Sequence, residues 1–593
     1  MTGAARRSRR RLLQAGLGVG LGAALAGPAR GASGREPLPE TARAPSETDP
    51  GDKAMQALLT EFAAWQKEPR PALVAGIVCG DEPALLHACG FASLEHQASA
   101  SIRTRFEIAS VSKHITACLI YDLLRAKQLG LDDHVRDYLP WLSPMLPALR
   151  IRHLIHHTNG LKDCLWFSEL AGRLDDGDHI GQDAIRRLTA RQDELHFPPG
   201  ADYRYNNTGY FLLAELIETV SGQPLRHFAA QRLFAPLGMS DTLIADNRNE
   251  AIPALALAYR RTRTGDSNHD RANGAWRHDP VRFEAAGPTG VVTTGPDLLR
   301  WIRHLLSPQS RASGLLSFLA APGRLDDGRP IEYGAGMFLR RVHGSDAIVH
   351  AGSLGGYRSW LAILPDARRA AFVLSAGPFD GFPVLERLLQ PAQPPAVKRP
   401  ASEAPATVKN ELLKALPGEY LPDNWKLLWI TRHGDALEWH EAGERPKPLL
   451  IDSDGSVRQS ADSLYRLTPQ WQGGAITALV ETRDASPFVA PVTYQRAKAA
   501  TPDKGELKAL QGRYCCDMLE AVHTLHLTEQ GLVLQAGWAG HAVKLFPTVA
   551  DRFEGDRFGW MVQVERGPGG LVDSLLVGSP RARGFRFVRL DAT

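Results

Sequence analysis

Met55, Leu58, Leu59, Phe62 and Trp65 recur at helical spacing, and two apolar runs follow, Ala72 to Val78 and Ala84 to Gly90, on either side of the turn-like Gly80-Asp81-Glu82-Pro83. The pattern predicts a helix and then a hairpin, with the folded part beginning near Lys53. From Phe106 to Asp133, Val111, Ile115, Cys118, Leu119 and Leu123 again keep helical spacing, and Gly130 is placed to end that helix. Helical and strand patterns alternate as far as Phe372-Val373-Leu374-Ser375, and the first domain, 53–389, ends near Leu389. Residues 390–406 carry Pro391, Pro394, Pro395, Pro400 and Pro405 among alanines, the composition of a semi-rigid linker.

Beyond the linker the pattern changes. Leu413-Lys414-Ala415-Leu416-Pro417-Gly418-Glu419-Tyr420 recurs 94 positions later as Leu507-Lys508-Ala509-Leu510-Gln511-Gly512-Arg513-Tyr514. Short alternating runs turn about glycines in each copy, Leu427 to Trp439 about His433-Gly434-Asp435 and Leu525 to Leu534 about Gln530-Gly531. Each copy therefore reads as a small antiparallel sheet or barrel, module 407–500 and module 501–593. One larger β-domain with a local octapeptide match is the alternative.

Length and composition narrow the class. At 593 residues, 44% hydrophobic and 23% charged, the chain is a soluble globular protein of two or more domains. Its net charge of +4 owes five positive charges to Arg6, Arg7, Arg9, Arg10 and Arg11, so the body is close to neutral. Past that cluster there is no basic face interleaved with aromatics, and no nucleic-acid partner is expected. The arginines precede a Gly/Ala/Leu stretch from Leu12 to Leu25 and the small residues Ala24-Leu25-Ala26, so residues 1–33 read as a signal cleaved on export. Ser8-Arg9-Arg10-Arg11-Leu12-Leu13-Gln14 resembles a twin-arginine signal. A general secretory signal or an uncleaved anchor is the alternative, although the stretch is short and glycine-rich for a membrane span. Residues 34–52, rich in Pro, Glu, Thr and Ser, read as a flexible tether. The expected location is periplasmic or secreted, with no membrane span after cleavage. The sequence does not express an oligomeric state. The six cysteines lack Cys-x-x-Cys spacing, so no structural metal is expected; Cys79 and Cys89 flank the hairpin turn and would either pair or stay as reduced, half-buried thiols.

Three segments carry candidate chemistry. Ser110 and Lys113 lie three apart on the predicted helix and share a face. A serine needs a base to take its proton, and a desolvated lysine loses its own proton more readily and can serve. Ser-x-x-Lys alone equally describes a solvated helix face. Tyr205 and Asn207 end a loop entered at Pro198-Pro199-Gly200, before a helix from Tyr210 to Ile217, and alternate residues of an extended loop face one cavity. A packing aromatic and a helix cap would show the same spacing. From Ile348 to Asp366 a strand meets a glycine turn, where Gly352, Gly355 and Gly356 allow the backbone to approach closely and aim an N–H at a developing oxyanion. A hairpin with a surface histidine reads the same. His153, His156 and His157 lack the glutamate of a His-Glu-x-x-His helix and read as structural, so neither a metal nor another cofactor is expected.

In this order and spacing, Ser110-Val111-Ser112-Lys113, Tyr205-Asn206-Asn207 and His350-Ala351-Gly352 resemble the three motifs of class C β-lactamases and of the penicillin-recognising peptidases and esterases related to them. The stretches Ile151 to Leu161, Ala230 to Thr242, Gly287 to Leu298 and Tyr333 to Gly336 add to the likeness, which covers about Lys53 to Leu389. The resemblance implies an α/β (α+β) β-lactamase-like transpeptidase fold, an antiparallel sheet flanked by helices, here followed by two small antiparallel β-barrels. It implies Ser110 as the acylated nucleophile, Lys113 and Tyr205 as base and proton shuttle, and Asn207 as the group that binds the substrate amide and orients Lys113. His350 would hydrogen-bond Tyr205 or a substrate carboxylate, and the N–H groups of Ser110 and Ser353, beside Gly352, would form the oxyanion hole. A histidine in the third motif, where β-lactamases carry a lysine, is typical of D-aminopeptidases and of some D-alanyl-D-alanine carboxypeptidases. A catalytic domain followed by two barrels also resembles the D-aminopeptidases, in which a loop of the first barrel is expected at the active-site mouth. The function so implied is a serine peptidase acting on short peptides with D-residues, cell-wall fragments among them. An esterase or β-lactamase of the same fold is the alternative, and a non-catalytic peptide-binding protein is the alternative from another class.

Overall fold

The computed structural model describes Phe62, Trp65 and residues 68–172, 180–262, 275–390 and 405–590, the last span with short gaps. The expected signal, the tether and most of the Pro/Ala-rich linker lie outside these residues, as do Met55, Leu58 and Leu59 of the first expected helix.

The apolar runs read as a hairpin are β1 (Leu73–Cys79) and β2 (Leu85–Cys89). Four later strands, β3 (Phe338–Val342), β4 (Ser345–Leu354), β5 (Tyr357–Leu364) and β6 (Arg369–Ser375), join them in an antiparallel sheet of order β3-β4-β5-β6-β1-β2. Both faces are covered, which is why β1 is a continuous apolar run rather than an alternating one. Val74 and Val78 pack with α1 (Ser112–Arg125), α2 (Thr208–Ser221) and α3 (Gly295–Leu306), while Leu73, Ala75 and Ile77 pack with α4 (Phe382–Leu389) and Phe62.

One expectation is corrected here, and the choice left for Cys79 and Cys89 is decided for free thiols. The helix α1 stops at Arg125, short of Gly130. Lys127 takes the left-handed conformation (φ 55°), its N–H donating to Leu124 and that of Gln128 to Leu123, the pair of bonds that closes a helix around a residue where glycine is usual. The register of β1 and β2 sets Cys89 opposite Leu73, at the far end of the strand from Cys79. Six residues of strand, about 20 Å at roughly 3.3 Å each, separate the two positions, so they cannot be bridged, and both thiols are free.

After the linker come two closed eight-stranded antiparallel barrels, the first running from Gly418–Pro422 to Val492–Ala497 and the second from Gly512–Cys516 to Ala582–Arg589. The repeated octapeptide builds the seam of each. Tyr420 Oη donates to Leu416 O (2.8 Å) and Tyr514 Oη to Leu510 O (2.7 Å). Arg496, from the last strand of the first barrel, stacks on Tyr420 and donates to Pro417 O; Arg589 does the same in the second with Tyr514 and Gln511 O. The two barrels are buried differently. The first encloses a hydrophobic cluster of its own, whereas the interior of the second is continuous with the core around α1 and α2.

Candidate active site

Ser110 lies in a 3-10 turn, Ala109–Val111, that leads directly into α1. Ala109 there is in the left-handed region (φ 49°), a strained conformation for a residue with a side chain. The strand β4 pins the turn: Ser359 Oγ, on the neighbouring β5, donates to Ile108 O (2.6 Å), and Gly352 lies so close that a Cβ there would sit 2.5 Å from Ile108 O and 3.0 Å from Ala109 Cβ. Among the described residues, β3 covers β4 only as far as Val349, so the edge from His350 to Leu354 has no strand beside it on that side. Ser353 is exposed on this edge.

Lys113 Nζ is 3.1 Å from Ser110 Oγ, and the lysine is fully buried. Nζ also donates to Asn207 Oδ1 (2.8 Å) and to Pro288 O (3.0 Å), so the Gly287-to-Leu298 stretch supplies one wall of the pocket. Burial drives the pKa of Lys113 well below the usual lysine range; Asp163 pulls it back up and Arg581 pushes it further down. A neutral amine has two N–H groups and one lone pair. The two carbonyl acceptors take the N–H groups, which leaves the lone pair for the Ser110 hydroxyl.

Tyr205 packs beside this pair, its ring centre 4.8 Å from Lys113 Nζ. Burial raises its phenol above the ordinary value, while Arg581 and a hydrogen bond with Ser110 oppose the rise. Asn207 occupies the cap position of α2, yet its side chain makes no cap; it spans Lys113 and the carboxylate of Asp163, with Nδ2 at 3.1 and 2.9 Å from the two oxygens. Asp163, fully buried, was not singled out by sequence reasoning, although it lies two residues beyond the Ile151-to-Leu161 stretch that was. His350 is buried and bonds Tyr333 rather than Tyr205: Nδ1 lies 2.7 Å from Ala351 O and Nε2 3.3 Å from Tyr333 Oη. Nδ1–H therefore donates to the carbonyl and Nε2 accepts from the phenol, the arrangement of a neutral imidazole, and burial accordingly pushes its pKa well down. Of the three histidines read as structural, His153 Nδ1 accepts from Arg150 N, His156 contacts Gly334 O, and His157 lies tilted against Tyr205, ring centres 4.4 Å apart.

Among the described residues it is the second barrel that reaches the site, where the resemblance implied a loop of the first. Its turn between the strands Val572–Ser579 and Ala582–Arg589 carries Arg581, whose carbonyl accepts from Asp163 N (3.1 Å) and whose guanidinium lies 5.0 Å from the Tyr205 ring centre. Nearby, His523 Nε2 donates to Leu170 O (2.8 Å), and Phe585 meets Phe167 edge to face. Continuity of core, rather than a flexible loop, holds the turn in place. Among the described residues, no three His, Cys, Asp or Glu side chains gather as a metal site, and no helix is long and apolar enough to cross a membrane.

The Beta-lactamase family model matches residues 55–392. The chain belongs to that family. The chain is similar to the D-aminopeptidase of Cereibacter sphaeroides, 27% identical over 92% of this chain and 99% of that one, and to the D-aminopeptidase of Brucella ovis, 26% identical over 88% and 96%. The D-aminopeptidase of Brucella anthropi is 31% identical, over 49% of this chain and 52% of its own length. Among solved structures, the octameric penicillin-binding protein homologue from Pyrococcus abyssi superimposes with a TM-score of 0.51 at 19% identity, covering 75% of this chain and 99% of that one, a likeness of fold. This member of the Beta-lactamase family is a serine hydrolase of D-aminopeptidase type.

Proposed function

We propose that the chain hydrolyses short peptides containing D-residues through an acyl-enzyme on Ser110. The observation that carries this reading is the pairing of Ser110 Oγ with a buried Lys113 whose two other neighbours are carbonyl acceptors. Lys113 takes the hydroxyl proton as Oγ attacks the scissile carbonyl, and Tyr205 passes that proton to the departing amine as the C–N bond breaks. Water then attacks the ester and the same groups return the proton to Ser110. The N–H groups of Ser110 and of Ser353, on the open edge of β4, receive the oxyanion. Asn207 orients Lys113, and Asp163 orients Asn207. The Arg-rich start and the Ala24-Leu25-Ala26 segment support export through the twin-arginine route, which would bring cell-wall fragments within reach as substrates; the N-terminus of the protein recovered from the periplasm tests that.

Intact mass after incubation with a D-alanine p-nitroanilide, and separately with a fluorescent penicillin, tests the chemistry. The parent is expected to release nitroaniline and Ser110→Ala to release none, with penicillin acting only as an inhibitor. Turnover of short-chain p-nitrophenyl esters without turnover of the anilide makes the chain an esterase. No adduct with any acylating reagent returns it to a binding protein.

A further inference from the structure

Pro288 O, one of the two carbonyls that bind Lys113 Nζ, belongs to a loop, Ala285 to Gly290, that is buried throughout. Gly287 (φ 102°) and Gly290 (φ 99°) both take backbone conformations that favour glycine, and the proline between them brings no N–H of its own, so the loop needs outside partners to keep one shape. Three side chains from the segment that carries the nucleophile supply them. Glu107, on the short strand Phe106–Glu107, is 1% exposed; its Oε1 accepts from Gly290 N (2.7 Å) and its Oε2 from Arg248 (3.0 Å). Ser112 Oγ accepts from Val291 N (3.1 Å). Thr116, three residues beyond Lys113 on the same side of α1, donates through Oγ1 to Gly287 O (2.8 Å). From the other side the loop is pressed against α2, where a Cβ on Gly287 would lie 2.4 Å from Tyr210 O. Pro288 O therefore sits between two ties, Thr116 at Gly287 and Glu107 at Gly290.

We propose that Glu107 and Thr116 are positioning residues, which hold the Pro288 carbonyl on Lys113 so that the amine keeps its lone pair on Ser110 Oγ. This rests on acylation of Ser110 with Lys113 as base, and not on the D-peptide assignment. Hydrogen bonds are directional, so an amine with a single acceptor can turn about its last bond and offer Ser110 an N–H in place of the lone pair; with Asn207 Oδ1 and Pro288 O both in place it cannot. The titratable groups around Lys113 are Asp163, Cys164 and Arg581, with His157 and His350 near enough to feel its charge and the rings of Tyr205 and Tyr210 beside it. Glu107 and Arg248 form an ion pair apart from these, and removing both charges together leaves the net charge of the site unchanged.

The test follows acylation of Ser110 by p-nitrophenyl butyrate, by stopped flow as a function of pH, in the full chain and in two pairs of variants whose folding is checked by circular dichroism. Thr116→Val loses the hydroxyl that Thr116→Ser keeps. Glu107→Leu with Arg248→Met loses the acceptor for Gly290 N, which Glu107→Gln with Arg248→Met keeps, and both doubles are neutral at these positions. Thr116→Val should acylate about 10-fold more slowly and the leucine double about 10- to 100-fold, while the serine and glutamine variants stay within about threefold of the parent. In the two slow variants the acid limb should also move to lower pH, because the charged amine has lost an acceptor. Joining Thr116→Val to the leucine double should cost less than the product of the separate losses, since both ties act on one carbonyl. Folded variants that acylate like the parent, losses that multiply, or a rate lowered by the same factor at every pH with the limb unmoved overturn the proposal. A parent on whose Ser110 the ester leaves no adduct overturns the acyl-enzyme reading itself, and the proposal with it.

Discussion

Gly352→Ala should separate the position of the nucleophile from its chemistry. The added methyl would lie 2.5 Å from Ile108 O and closer still to Ser359 Oγ, where ordinary contacts begin near 3.4 Å. The Ser359 hydroxyl can rotate away, but Ile108 O is backbone of the turn that carries Ser110, so β4 and that turn must part by about 1 Å. Misplacement on that scale costs about 100-fold in rate, while overpacking costs about 1–3 kcal/mol of stability. The expected outcome is therefore a folded protein whose kcat/KM on an activated ester falls about 100-fold, with the loss chiefly in acylation measured by stopped flow. Adding Ser359→Ala should restore part of the stability and little of the rate, because the collision with Ile108 O remains. A Gly352→Ala enzyme within twofold of the parent in acylation would refute the argument that close approach of β4 positions Ser110.

Asp163→Asn removes the anion that favours the charged form of Lys113. The acid limb of the kcat/KM profile should therefore move to lower pH, while kcat/KM at its maximum drops about 10-fold as Asn207 loses its charged partner; an unmoved limb refutes the coupling. His114 is fully buried, accepts from Trp301 Nε1 (2.7 Å) and donates to Val111 O, and burial holds its pKa at about 4, below the 6.5 of a free histidine. Between these values the unfolded chain binds the proton that the native state refuses, so stability is kept above pH 6.5 and lost as pH falls towards 4. His114→Gln should lower the slope of unfolding free energy in that window by about 1.4 kcal/mol per pH unit, measured by urea titration at several pH values. Tyr420→Phe and Tyr514→Phe each orphan a buried carbonyl at a barrel seam and should each cost about 1–3 kcal/mol, with only the latter lowering the temperature at which hydrolysis is lost. Thiol titration of the denatured protein without reductant should count all six cysteines; a count of four would restore a disulfide.

The sheet, the two barrels and the Ser110–Lys113–Tyr205–Asn207 grouping were legible because each rests on a local regularity: strand-length apolar runs, a repeated octapeptide and three spaced motifs. Asp163 was not, since an aspartate after a glycine turn has no periodic signature and acquires its role only when α2 brings Asn207 beside it. The end of α1 is not legible in the same way: glycine is the usual stop signal and points to Gly130, whereas Lys127 accepts the left-handed position once the last turn is hydrogen-bonded around it. Arg581 could not have been found at all. It lies 376 residues from Tyr205, in a module whose sequence twin keeps a separate core, and nothing local says which of two similar barrels joins the hydrolase.

That asymmetry has a consequence in time. The second barrel closes only when the strand Ala582–Arg589 pairs with Gly512–Cys516, so Arg581 is fixed at the site only once the closing strand exists. Synthesis from Leu389 to that strand, at roughly 5–20 residues per second, takes on the order of ten seconds or more. During that interval the nascent hydrolase holds its nucleophile and base, but the segment bearing Asp163 has lost one flank and Phe167 and Leu170 face water. A ribosome that stops early thus releases a protein with an exposed apolar wall and an unfinished pocket, a product that proteases can recognise before it ever meets a substrate.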